Sequence, residues 1–195
     1  RMARPREFDE EEVLDAAMQC FWAQGYGATS IKDLIERTGL TAASLYNAYG
    51  DKRAMFSTAL DHYIEKSIGV RLRRCETLPP RKAIRSFFDD ILRRSLGDRE
   101  RKGCMIVNSA LEIAPHDREF RETIVETLKR IESFFLDCVK RGQADGTITP
   151  SRPAAGLAQH LLGVLMGVRV LARVRPERPL LEGVINTALT ILDGS

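Results

Sequence analysis

Three observations predict an all-α fold for this 195-residue chain. Apolar residues recur at spacings of three and four in almost every window, as on a helix with one buried face. Stretches of alternating apolar and polar residues, which a half-buried strand would show, are absent. Proline and glycine fall at most of the joins between apolar patterns, where they act as helix ends. With 44% hydrophobic and 29% charged residues, the composition is that of a globular protein large enough for one sizeable core or a small domain joined to a larger one.

The first helix is predicted from Asp9 to Gln24, with Val13, Leu14, Ala17, Cys20 and Phe21 on one face and Gly25 and Gly27 beyond its end. Ser30 opens a second helix with Asp33 three residues on, as in a capping box, and Ile31, Leu34 and Ile35 supply its buried face. Gly39 stops that helix, Leu40 plugs the turn, and the Thr41 hydroxyl caps a third. Two short helices around a glycine-containing turn form a helix-turn-helix. In the third helix Leu45 and Tyr49, four apart, pack inward, leaving Ala42, Ala43, Ser44, Tyr46 and Asn47 on or near the open side. Small residues at its start let the helix N-terminus approach a groove, where backbone N–H groups and the helix dipole favour phosphate oxygens. Tyr46 can donate to a phosphate, Asn47 to a phosphate or a base edge, and Lys52 adds a cation just past Gly50.

Other function classes find little support. The longest apolar stretch, Leu157 to Leu171, is interrupted by Gln159, His160 and Arg169 and falls short of the roughly 20 residues that span a bilayer. The opening RMARPREFDEEE has no apolar central region, so no secretory signal is expected. Cys20, Cys75, Cys104 and Cys138 lie far apart, with neither zinc-ligand nor disulfide-framework spacing, and a reducing cytoplasm is expected. No nucleophile motif or phosphate loop is visible, so catalysis, cofactor and metal are not expected. Residues 1–55 hold seven Lys/Arg against nine Asp/Glu, a weak electrostatic footprint for nucleic acid. From Lys66 to Lys102 the balance is twelve against five, which reads first as a solvated, arginine-rich helical surface and second as another nucleic-acid surface.

The run GYGATSIKDLIERTGLTAASLYNAYGDKRAMF, Gly25 to Phe56, with the helix before it, resembles the DNA-binding domain of the TetR family of transcriptional regulators. The shared order is cap, second helix, Gly-Leu-Thr turn, small residues, Leu-Tyr-x-x-aromatic, then a short turn ending in lysine. The resemblance implies a helix-turn-helix DNA-binding domain over residues 1–52 and a helical effector-binding and dimerisation domain over 53–195. It further implies a homodimer on a palindromic double-stranded DNA operator, a repressor released by a small-molecule or electrophile effector. Carried over position by position, Ser30, Tyr46 and Lys52 become phosphate contacts, and Lys32, Thr41, Ala42, Ala43 and Asn47 become candidates near bases, with Ser44 beside them. Arg4 and Arg6 become arm residues for the backbone or minor groove. Tyr49 departs from the phenylalanine more usual there.

A long fourth helix is predicted from Asp51 to about Cys75, with Ala54, Met55, Leu60, Tyr63, Ile64 and Ile68 on its apolar side. Further helices follow near Pro80 to Leu96, Gly103 to Ile113, Asp117 to Gly142, Pro153 to Val174 and Pro179 to Leu192. The last two carry more apolar surface than a small domain usually covers and resemble the family's four-helix dimer interface. Leu161, Leu165, Val184, Ala188 and Leu189 are the dimer candidates, against the alternative of a plain core hairpin. Phe88, Asn108, His160 and Cys104 are the candidates for effector binding or sensing. Segment Arg101 to Glu112 resembles a TetR subset with Gly-Cys at this helix start, some members of which respond to electrophiles. A thiol there beside Arg99, Arg101 and Lys102 would be partly ionised; alternatively Cys104 is a small buried apolar residue. The rival readings are a small helical enzyme, which would show turnover without DNA, and a scaffolding protein using the basic region.

Overall fold

The computed structural model describes residues 9–194, and among them every regular element is helical. The chain divides into two compact units, one ending at Glu65 and the other beginning at Lys66. The expected boundary at residue 52 therefore moves to the C-terminal side of α4, because α4 (Lys52–Tyr63) packs along α1 (Glu10–Gln24) and belongs to the first unit's core.

In the first unit, α1 is capped by Asp9, whose carboxylate accepts from the Glu11 N–H at 3.0 Å. Glu10, Glu11 and Glu12 fill its first turn, where negative charge suits the helix dipole. Val13, Ala17, Met18, Cys20 and Phe21 form the buried face. Leu14, expected there, is only half-buried. Phe21 meets Phe56 of α4 edge-on at 5.1 Å, and Trp22 meets Tyr63 at 5.0 Å. The short helices α2 (Ile31–Thr38) and α3 (Ala42–Tyr49) pack on this pair.

The expected fourth helix is interrupted. After α4 the chain passes through a π-helical segment, Ile64–Gly69, before α5 (Val70–Glu76). Its residues IEKSIG carry no proline, so no sequence signal for the change of pitch is available.

The second unit continues with α6 (Pro80–Gly97), α7 (Met105–Glu112), α8 (Arg118–Asp145), α9 (Ala154–Val174) and α10 (Arg178–Thr190), ending in a 3-10 turn, Ile191–Asp193. Phe87 and Phe88 of α6 interlock with Phe134 and Phe135 of α8, with ring centroids 5.1 to 5.7 Å apart. At 21 residues, α9 is longer than the apolar stretch read from sequence and long and apolar enough to cross a membrane by composition alone. Here it packs against α6, α8 and α10, and its buried Arg169 donates to Ser95 Oγ at 3.2 Å and approaches Gly103 O at 3.5 Å.

A buried charge joins α5 to α6. Asp90 is 1% exposed and accepts from Arg71 Nε at 2.6 Å, Arg94 Nε at 3.0 Å and Arg93 Nη2 at 2.5 Å, with Arg74 Nη2 at 3.3 Å. Burial alone would raise its carboxyl pKa, but the guanidiniums of Arg71 and Arg94 hold it far below the ordinary carboxylate range. A depressed folded-state pKa contributes stability that is present above the unfolded value, about 3.9, and is lost as pH falls toward the folded one. Asp90→Asn should therefore cost about 3–5 kcal/mol at neutral pH, because it removes the negative charge paired with buried Arg71. The gap between variant and parent should narrow below about pH 4. Urea titrations from pH 7 to pH 3 check both, and equal stability at pH 7 would show the cluster to be dispensable.

Candidate nucleic-acid interface

An eight-residue helix does not hold its shape alone in water, so the fixing of α3 is the first fact about this site. The Thr41 hydroxyl oxygen accepts from the Ser44 N–H at 3.1 Å and donates to Ser44 Oγ at 3.0 Å. At the other end Gly50, with φ 92°, returns its N–H to Tyr46 O at 2.9 Å; a positive φ is cheap only for glycine. Leu45, fully buried, anchors the helix to the unit beneath.

The turn before it is equally constrained. Gly39 closes α2 in the left-handed region, φ 73°. Thr38 Oγ1 donates to Leu34 O at 2.6 Å and accepts from the Leu40 N–H at 3.3 Å. The start of α2 is a complete capping box: Ser30 Oγ accepts from the Asp33 N–H at 3.1 Å, and the Asp33 carboxylate accepts from the Ser30 N–H at 2.8 Å. Those bonds to Ser30 hold the Asp33 carboxyl below its ordinary pKa. Ile31 and Ile35, expected to be buried, are half-exposed, and only Leu34 of this helix is fully inside.

What this scaffold presents is a small set of polar tips. Thr41, Ala43, Tyr46 and Asn47 are exposed, as are Ser30 and Lys32; Ala42 and Ser44 are half-buried. Tyr46 leaves 46% of its surface open to solvent. Tyr49 is half-buried, and burial, with Glu10 nearby, raises its phenol pKa. Lys52 is not a freely solvated cation. Its Nζ lies 4.6 Å from the centre of the Tyr26 ring and 3.5 Å from Gly27 O. Sequence reasoning missed Tyr26, whose ring is itself held against Phe56 at 5.0 Å. The signal lay in Gly25-Tyr26-Gly27, which reads as a helix end but also seats an aromatic beneath the cation. Arg4 and Arg6 lie outside the described residues.

The second unit does not gather its sequence candidates into one site. Phe88 is fully buried in the phenylalanine cluster, whereas His160 is exposed on α9. Asn108 is committed to the 101–104 loop: its amide donates to Lys102 O at 2.7 Å and its oxygen accepts from Arg173 Nη1 at 3.1 Å. Cys104 sits at the N-cap of α7, 8% exposed, and its side chain makes no capping hydrogen bond. Burial pushes the thiols of Cys20 and Cys75 up and that of Cys138 to about 11. Among the described residues no group of three or more His, Cys, Asp or Glu is placed to hold a metal ion.

Of the dimer candidates, Leu161, Leu165, Ala188 and Leu189 are buried within the protomer, and Val184 is half-buried. Helix α9 is apolar on two faces, and its bulkier residues face α6, α8 and α10. The outer face of α9 instead carries Gly156, His160, Gly163, Gly167, Val170 and Val174, with open space where a Cβ would stand at all three glycines.

This arrangement has close counterparts. A family model described as bacterial regulatory proteins, tetR family, matches residues 13–59, and one described as tetracyclin repressor-like, C-terminal domain, matches residues 80–187. The HTH-type transcriptional regulator YezE of Bacillus subtilis (strain 168) is 32% identical over 98% of this chain and 100% of its own length. The HTH-type transcriptional repressor ComR of Escherichia coli (strain K12) is 30% identical over 87% of this chain and 82% of its own. Among solved structures, a cysteine mutant of the TetR family regulator CifR, complexed with 26-base-pair operator DNA, superposes with a TM-score of 0.86 at 29% identity, covering 97% of this chain and all of that one. The chain therefore belongs to the tetR family of bacterial regulatory proteins and is a DNA-binding, helix-turn-helix transcriptional regulator.

Proposed function

We propose that this regulator is a repressor that binds a palindromic operator as a homodimer and leaves it when a small-molecule effector binds the second unit. The observation that carries the DNA half is the capped, anchored α3 with Thr41, Ala43, Tyr46 and Asn47 exposed along it. Tyr46, exposed on the helix, and the Ser30 hydroxyl at the start of α2 suit phosphate oxygens. Lys52, steadied by Tyr26, supplies the cation. Ala42 and Ala43 keep the helix start low in the groove, and Lys32, Thr41, Ser44 and Asn47 face the base edges. Arg4 and Arg6 would add arm contacts to the backbone or minor groove. The repressor assignment is supported by relatives named as repressors, ComR among them.

Fluorescence anisotropy on the operator tests these contacts. Tyr46→Phe and Lys52→Ala should weaken binding to all DNA sequences alike without changing the fold, because phosphate contacts position the protein without reading bases. Lys52→Ala should also flatten the log–log salt dependence by about 0.9. Unaltered affinity in both variants would remove the assignment.

The homodimer is assigned to the outer face of α9, where the glycines let a partner helix approach closely. Gly163→Arg and Val170→Glu place bulk or charge on an open face, so each should leave helicity intact and yield monomers. Without a partner to engage the second half-site, one helical turn away, operator affinity should fall by about 10²-fold or more. Light scattering that shows a stable dimer in both variants would move the interface elsewhere. For the effector, Cys104 and Asn108 remain the proposed sensing residues, through the loop that Arg173 holds.

A further inference from the structure

A cleft in the second unit is separate from every residue considered so far for the effector. It has a volume of about 310 Å³ and is lined by Pro79, Arg81, Lys82, Arg85, Thr147 and Leu189. That volume is at the lower end for small-molecule sites, roughly 300–1,000 Å³. Pro79 and Leu189 supply apolar wall, and three of the six lining side chains are cations.

One of those cations is held in place. Arg81 donates to Thr147 O at 3.3 Å and Leu189 O at 3.4 Å, and it pairs with Asp193 at 2.5 Å. These contacts tie the start of α6 to the α8–α9 loop and to the end of α10, and they fix the walls of the cleft. Lys82 and Arg85 are exposed at its edge. The nearest acid to Arg85 is Asp89, a loose 3.8 Å away and itself half-exposed to solvent. Such exposed pairs contribute little, so an anion entering the cleft displaces no strong internal contact.

From this geometry we infer that the cleft binds an amphipathic organic anion, a carboxylate or phosphate monoester on a short apolar body. The head group lies between Lys82 and Arg85, where charge-assisted hydrogen bonds are available. The apolar body lies along Pro79 and Leu189. A cation would be repelled, and a bare small anion would find charge but bury no apolar surface.

Calorimetric titration of the full protein tests the site directly, without reference to operator binding. Octanoate is the probe; octylamine, octanol and acetate are the controls. Octanoate should bind, the controls should bind at least tenfold more weakly, and raised salt should weaken octanoate. Lys82→Ala combined with Arg85→Ala should lower octanoate affinity about tenfold or more. Thr147→Trp, at an exposed position on the rim, should block the cleft and abolish binding. Melting temperatures of the ligand-free variants should match the parent. Octanoate affinity that is unchanged in both variants would place the binding elsewhere, and no binding at millimolar octanoate would overturn the inference outright.

Discussion

The helix that meets DNA in this fold cannot exist without the rest of its unit. Eight residues give α3 too few internal hydrogen bonds to offset the cost of nucleating a helix. Its stability must come from caps and tertiary packing, and those are what the neighbouring residues supply. Thr41 closes the front, Gly50 the back, and Leu45 is the anchor below. The surrounding elements serve the same end. The aromatic contacts of Phe21, Tyr26 and Phe56 join the end of α1 to α4, and Tyr26 also steadies Lys52. In the phosphate contact we propose for it, a cation already held in place would lose less side-chain freedom on binding than a solvated lysine.

In the second unit the comparable constraint is electrostatic. One buried carboxylate, Asp90, faces four guanidiniums, of which Arg71 is buried with it and Arg74, Arg93 and Arg94 reach solvent. Two carboxylate oxygens offer about four acceptor sites, far fewer than the donors around them. Asp90 is therefore saturated while its partners keep donors turned to water. The gain is geometric: α5 and α6 are joined at one point by bonds that tolerate little sliding, as apolar packing alone would not ensure. This also accounts for much of the positive run from Lys66 to Lys102. Part of that charge is structural, gathered around an acid that sequence spacing alone does not single out from Asp89 beside it.

Local signals made most of the fold legible in advance. Ser30 with Asp33, Gly39, Thr41 and Gly50 each act within one helical turn, so their roles follow from neighbouring residues, and the caps form as read. The proline and glycine joins likewise place α6 to α10 within a few residues. What escaped depends on contacts distant in sequence. The π-helical segment, Ile64–Gly69, has no proline to announce it. Tyr26 under Lys52 joins residues twenty-six apart in the chain. Asn108, a candidate for effector binding on sequence, is held by Arg173, 65 residues away in the chain.

The dimer candidates show the same limit in its sharpest form. Helix α9 is apolar nearly all round, and periodicity cannot separate the face that seeks its own core from the face that seeks a partner. Side-chain size separates them once the fold is known. Leu157, Leu161 and Leu165 fill the interior, while the glycines at 156, 163 and 167 leave the outer face shallow. A leucine on that outer face would expose more apolar surface in the free protomer and hold a second helix farther off. Glycine costs helix propensity, about 1 kcal/mol each relative to alanine, and three such losses in one helix call for a compensating gain. Close approach of another backbone is the gain that this geometry can provide, because van der Waals contact falls off steeply with separation. The same helix sends Arg169 and Arg173 to the loop before α7. Those bonds join the loop before the proposed sensing residues to the helix whose outer face we assign to the partner.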